Sequence, residues 1–299
     1  MSNCAILGTS KIASIHLNSL LKNNFKKFFL VSRNINKAKK FISEYKLQKN
    51  KNIYPSDYAI LNKENFDLIN ICVNTNHHSD CLDLLRKSKS LIIVEKPIIP
   101  INIFKGEYSK YLKRIYKKHN NLLVCYPMLF LAKSFLKKFS VEKNINKLEI
   151  FYNTNGKNKF NDIGQDLLPH AISLAYELLG KKKFSNKILK IKSKVYSKKW
   201  CGVIILKNTE LKFNFTENLK KKSQFYFKIN NKTVKRTTKI INGVFTNFLK
   251  FKNNKIKIKN PMHEFLNYSL KNKNNFSWLH ENKTLTYEVM KINSLFLNK

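Results

Sequence analysis

The first 125 residues alternate short runs of strand-forming residues with longer segments whose apolar residues recur at helical spacing. The runs are "CAILG" (4–8), "FFLVS" (28–32), "LINICV" (68–73), "SLIIV" (90–94) and "NLLVCY" (121–126). Between them lie "KIASIHLNSLLK", "NKAKKFISEY", "SDCLDLLRKS" and "EYSKYLKRIYKKH". Continuously apolar strands with helical crossovers read as βαβ units, in which a parallel sheet is covered on both faces. This pattern predicts a doubly wound α/β domain over residues 1–125.

From residue 126 the pattern changes. A helical "MLFLAKSFLKKF", a strand-like "KLEIFYN" and a helix over Asp166 to Leu179 are followed by "LKIKSKVYS", "CGVIILK", "ELKFNFT", "QFYFKIN" and "KTVKRTT". Turns such as "KNTE" and "NNKT" suit hairpins. Helical patterns over Met262 to Leu270 and Leu285 to Leu297 end the chain. Residues 126–299 are therefore expected to carry an antiparallel sheet together with helices.

The 58 lysines and arginines outnumber the 18 acidic residues, for a net charge of +40. Only four are arginine, the side chain best shaped for base recognition: Arg33, Arg86, Arg114 and Arg236. The lysines are spread over the whole length with abundant Asn, Ile and Phe, as AT-rich codons would impose, and specific nucleic-acid binding is not expected. Duplex DNA should bind weakly, with steep salt dependence and no sequence preference. Submicromolar, sequence-selective binding at physiological salt in a mobility-shift titration would contradict this. The five cysteines show no metal-ligand spacing, and Cys4, Cys72 and Cys125 lie in strand-like runs, so reduced buried thiols and no metal are expected. With no signal peptide and no apolar run of membrane-spanning length, the expectation is a cytoplasmic protein without a membrane partner.

Four places could carry chemistry. "GTSKIA", Gly8 to Ala13, follows the first strand and opens a helix, the context of a dinucleotide-binding turn. Gly8 and Ala13 hold the first and third positions of GxGxxG/A, whereas Ser10 replaces the middle glycine. Glycine is scarce, with none between Gly8 and Gly106. At the end of the next strand Ser32 and Arg33 stand where an NAD site places a carboxylate, and a hydroxyl with a guanidinium suits a 2′-phosphate, so NADP is slightly favoured over NAD. "VEKPI" then ends a buried strand with Glu95, Lys96 and Pro97, at the carboxyl edge where ligands of such sheets bind. In the second half Asp166 and His170 lie four residues apart, on one helix face if Asp166 is the N-cap, with Pro169 in the first turn. Histidine can exchange a proton with an alcohol near neutral pH, and the carboxylate can orient it.

Taken in order, "AILGTSKIASIHLNSL", "VSRNINKA", "INICVNTNHHSDCLDLLRKSKSLIIVEKPI" and "DLLPHAISLAYELLG" resemble the Gfo/Idh/MocA oxidoreductases, the glucose-fructose oxidoreductase and inositol dehydrogenase group. The resemblance implies a Rossmann domain over residues 1–125 followed, over residues 126–299, by an α+β domain with an open, mainly antiparallel sheet that is often used for oligomerisation. It also implies an NAD(P) cofactor held by Gly8, Thr9, Ser10, Lys11, Ile12, Ser32, Arg33, Asn74, His78, Glu95 and Lys96. Its catalytic lysine, aspartate and histidine map onto Lys96, Asp166 and His170, which with Tyr126 would meet the substrate. Asn74 and Asn76 stand where the family often has a proline-asparagine pair. The reading is hydride transfer between nicotinamide and a secondary alcohol or ketone of a sugar, cyclitol or nucleotide sugar, in a dimer or tetramer. Reduction of an imine or alkene on the same fold, or a binding protein without turnover, are the alternatives.

Overall fold

The computed structural model describes residues 2–100, 107–142, 144–184, 188–219, 223–241 and 244–297. They form two compact units: residues 2–100, 107–125 and 262–286 make up the first, and 126–261 with 287–297 the second.

In the first unit six strands form one parallel sheet: β1 (Asn3–Leu7), β2 (Lys27–Val31), β3 (Ile53–Ser56), β4 (Leu68–Ile71), β5 (Leu91–Val94) and β6 (Leu122–Val124). Their order, β3-β2-β1-β4-β5-β6, is the doubly wound order. Ile6 lies opposite Leu30 on one side and Asn70 on the other. The connecting helices are α1 (Lys11–Leu20), α2 (Ile35–Glu44), α3 (Ile60–Lys63), α4 (His78–Leu84) and α5 (Tyr108–Lys118). Strand β3, "IYPS", escapes the sequence reading because Pro55 demotes a strand; it is tolerated here because β3 is the sheet edge, where one side of the strand needs no ladder bonds.

The opposite edge is closed by a late part of the chain. Asn282 is 1% exposed; its Nδ2 donates to Val124 O at 2.9 Å and its Oδ1 accepts from Val124 N at 2.8 Å. One side-chain amide thus does for β6 what a neighbouring strand would. His263 Nδ1 likewise donates to Ser19 O at 2.7 Å. These residues come from α9 (Pro261–Lys271) and the first half of α10 (Phe276–Leu297); helices α6 to α8 belong to the second unit.

That unit carries an eight-stranded sheet in the order β14-β13-β12-β11-β7-β10-β9-β8. The strands are β7 (Lys147–Thr154), β8 (Ile188–Tyr196), β9 (Lys199–Leu206), β10 (Thr209–Glu217), β11 (Gln224–Ile229), β12 (Lys232–Ile241), β13 (Val244–Phe251) and β14 (Asn254–Ile258). Every pairing is antiparallel except β7 with β10. The turn residues Asn230 and Asn231 have φ of 44° and 71°, which asparagine tolerates better than other side chains. Strands β13 and β14 were not anticipated; β14 alternates exposed lysines with Ile256 and Ile258, a weak apolar signal at a sheet edge.

Helices α6 (Pro127–Lys138), α7 (Asn161–Leu179) and the short α8 (Lys181–Phe184) complete this unit. Phe135 of α6 meets Phe227 and Phe251 edge to face, with ring centroids 5.4 and 5.3 Å apart. Helix α7 starts five residues before the expected Asp166, which is therefore no N-cap, and Pro169 lies in the helix interior. Packing overrides the proline: Ile163, Gly164 and Leu167 are buried, and a Cβ on Gly164 would lie 2.7 Å from the Trp200 indole. Such a contact needs glycine in the early turn. Cys4, Cys72, Cys81 and Cys125 are buried thiols. Among the described residues no helix is long and apolar enough to cross a membrane.

Candidate functional site

The first turn of the parallel sheet is built around one residue. Gly8 has φ of +113°, and a Cβ there would approach Cys72 O to 2.8 Å. The chain can therefore pass close to β4 and enter α1 only with glycine at this position. Ser10, at the place of the missing second glycine, uses its hydroxyl to donate to Cys72 O at 3.1 Å. The serine fastens the turn to the end of β4. Lys11 and Ile12 open α1, whose first amides provide positive potential.

Gly8, Thr9, Ser10, Ser32, Arg33 and Asn74 line one cleft of about 380 Å³ at the carboxyl edge of the sheet. Sequence reading missed Lys37, Tyr58, His77 and Asp80, which line it too. Lys37 could have been found, because it follows Arg33 by four residues. The Arg33 guanidinium donates to His77 Nε2 at 3.5 Å, and His77 Nδ1 lies 3.4 Å from Asp80. Burial, and after it the neighbouring Cys81, push the Tyr58 phenol up, so it stays a hydroxyl near neutral pH. Two cations and a phenol hydroxyl thus line the recess together with Gly8, Thr9, Ser10 and Asn74.

His78 does not line this cleft. It is buried, with Nδ1 3.0 Å from Pro97 O and Nε2 3.2 Å from Val73 O, and burial pushes its pKa down. The ring ties the segment after β4 to the turn after Lys96. That turn contains a cis Lys96–Pro97 peptide.

Glu95 and Lys96 lie outside the cleft lining as well, and Glu95 explains how Lys96 is held. His16 of α1 is fully buried; its Nε2 sits 2.6 Å from Glu95 Oε1 and its Nδ1 3.2 Å from Asn70 Oδ1. Glu95 Oε2 accepts from the Lys96 amide at 3.3 Å. Burial acts against the imidazolium, but its pKa lies well above the ordinary range, with Cys72 and Cys125 beside the ring and a carboxylate in contact with it. Acceptors at both nitrogens call for a ring that donates twice. Cys125 Sγ, 3.9 Å from Nε2, has its thiol pushed up to about 12, by burial first and then by Glu95. His16, Glu95 and Cys125 have the chemistry of metal ligands, with ligand atoms within 4.8 Å of one another. However, two ligands of one tetrahedral zinc lie about 3.4 Å apart, whereas Nε2 and Oε1 are in direct hydrogen-bond contact. The trio is a hydrogen-bonded anchor.

In the second unit Asp166 and His170 are half-buried one turn apart on α7. Asn158 Nδ2 donates to Asp166 Oδ2 at 3.4 Å and to Glu217 Oε1 at 3.2 Å. Burial raises the Glu217 pKa and the Asp166 charge adds to the effect, although the Asn158 amide works against it. The Tyr152 ring stacks on His170, with centroids 6.2 Å apart. Tyr152 and Glu217 could not be found from local sequence, because they reach α7 only through β7 and β10, and Asn158, in the loop before α7, belongs to no motif. Tyr126, 1% exposed, stands at the residue before α6 and makes no capping hydrogen bond with its side chain.

Comparison with known proteins bears on both units. The profile of an oxidoreductase family with an NAD-binding Rossmann fold, Gfo/Idh/MocA, matches residues 2–126. A dehydrogenase (MviM) from Clostridium difficile is similar in structure with a TM-score of 0.70 at 16% identity, covering 99% of each chain. KijD10, a 3-ketoreductase from Actinomadura kijaniata solved with NADP, gives 0.71 at 10% identity, over 99% of this chain and 97% of that one. A UDP-N-acetylglucosamine 3-dehydrogenase, GnnA, from Acidithiobacillus ferrooxidans gives 0.69 at 13%, over 99% and 96%. At these identities the likeness is one of fold. No curated protein matches the sequence.

Proposed function

We propose that this chain, whose residues 2–126 match the model of the Gfo/Idh/MocA oxidoreductases, transfers a hydride between NAD(P) and a secondary alcohol or ketone of a sugar-like substrate. The observation that carries the reading is the anchoring of Lys96. A buried ion pair, His16 with Glu95, fixes the amide of a half-buried lysine at the carboxyl end of β5. Buried charges are costly even when paired, and this pair sits at the edge where ligands of such sheets bind.

The nicotinamide, when bound, supplies or takes up the hydride. Lys96 holds the substrate oxygen and stabilises negative charge on it. His170 accepts the hydroxyl proton in oxidation and returns it in reduction. Asp166, held by Asn158, orients the imidazole. The fold likeness to a 3-ketoreductase and a nucleotide-sugar dehydrogenase supports a carbohydrate substrate. A dimer or tetramer is included in the proposal, supported by the family resemblance and checked by light scattering.

Preference for NADP rests on Arg33 and Lys37 in one cleft. Arg33→Ala is expected to weaken NADPH binding about tenfold or more and NADH binding much less, because a charge-assisted contact to the 2′-phosphate is lost. Fluorescence titration of both cofactors checks this; equal losses would remove the 2′-phosphate assignment.

A further inference from the structure

Arg236 is the one arginine placed on the inner face of the second unit's sheet, in a chain whose surface cations are nearly all lysine. It is half-buried on β12, and its Nε and Nη2 donate to a single neutral oxygen, Asn247 Oδ1, at 3.3 and 2.9 Å. The Thr238 hydroxyl donates to the same oxygen at 3.0 Å, which fixes Asn247 as a brace. No carboxylate is among the partners described for Arg236, and the remaining edge of its five-donor fork has no acceptor among the described residues. The Tyr152 hydroxyl, electrostatically coupled to Arg236, is a buried donor that also lacks a hydrogen-bond partner among the described residues.

These two groups lie on one sheet row. Arg236 is opposite Phe225, and Phe225 is opposite Tyr152, so two strand spacings, ~10 Å, separate their backbones. The Tyr152 ring in turn stacks on His170. A guanidinium taken from water without a counter-ion costs stability. A planar fork with one edge open matches the two oxygens of a carboxylate or phosphate.

We propose that Arg236, with the Tyr152 hydroxyl on the same sheet row, is an oxyanion receptor that selects a substrate carrying a carboxylate or phosphate next to the alcohol presented to His170. This rests on the function proposed above and narrows it: neutral sugars and cyclitols are poor substrates. Asp166 and Glu217 repel a second negative charge on their side of the row, so they fix which end of the ligand faces Arg236.

The test is calorimetry on the full chain saturated with NADPH, at about 0.15 M salt to screen the general positive charge. The probes are glucuronate, glucose 6-phosphate, UDP-glucose and UDP-glucuronate, against neutral glucose and myo-inositol. At least one anionic probe is expected to bind tenfold or more tighter than both neutral ones. Arg236→Gln is expected to keep NADPH affinity and lose about 10- to 100-fold for that probe, with little change for neutral sugars. Arg236→Lys, which keeps the charge but not the fork, should lose most of the preference as well, and it carries the test if the glutamine variant does not fold. Preference for glucuronate over glucose 6-phosphate assigns the oxyanion to a ring carboxylate, and the reverse assigns it to a phosphate. Absence of any anionic preference, or equal losses for neutral and anionic probes, overturns the receptor. Failure to bind NADPH would instead sink the oxidoreductase reading, whereas turnover of neutral sugars would leave that reading standing and remove this one.

Discussion

His170→Ala and Lys96→Met should each lower turnover by about 10²- to 10⁴-fold while NADPH affinity stays nearly constant. Both side chains are assigned to the reacting oxygen of the substrate and neither lines the cofactor cleft. A general acid or base contributes about this factor, and a cation stabilising developing negative charge contributes a similar one. Asp166→Asn should be milder if the carboxylate only orients the ring, since Asn158 can still bond an amide at that position. The Lys96, His170 double variant should lose less than the product of the single losses, because groups acting on one oxygen are not additive. The measurement is steady-state NADPH consumption with an active sugar, alongside cofactor titration of each variant. Wild-type rates in either single variant would reduce the Glu-Lys-Pro segment to the end of a strand.

Glu95→Ala is expected to cost about 3–5 kcal/mol of unfolding free energy, because it leaves the His16 imidazolium buried without its counter-ion. His16 has no exposed surface through which water could replace the carboxylate, and Asn70 offers only a neutral oxygen. The pH dependence follows from the raised pKa of His16. Its contribution is fully present below the unfolded value of about 6.5 and is lost as pH rises through the elevated folded value. Urea unfolding of the wild type between neutral and alkaline pH should therefore show a loss that the Glu95→Ala protein lacks. The variant should also turn over slowly, because the Lys96 amide loses its acceptor. A cost below about 1 kcal/mol, with no change in the alkaline limb, would mean that the pair is a passive part of the core.

What the chain announces by itself is whatever depends on local pattern. Continuously apolar runs separated by amphipathic segments imply a parallel sheet, and the strand order of the first unit follows the doubly wound rule. A lone glycine after the first strand marks the tight turn, and its φ of +113° is the reason no other residue would serve. Lys96 at a strand end, and Asp166 with His170 at helical spacing, are legible for the same cause: their relation is set within a few residues. Arg33 was visible as the second residue after β2.

Tertiary structure decided the rest, through contacts that no window of sequence contains. His16 meets Glu95 across 79 residues, and Asn282 meets Val124 across 158. Strand β3 forms despite Pro55 because it happens to be an edge, and α7 begins before Asp166 because Gly164 fits against Trp200. Tyr152 and Arg236 come onto one sheet row, with Phe225 between them, only when β11 pairs with both of their strands. A single residue cannot state in advance what will desolvate it or which donor will face it. Burial and pairing are properties of the assembled sheets and their packed helices, and the chemistry of buried groups depends on both.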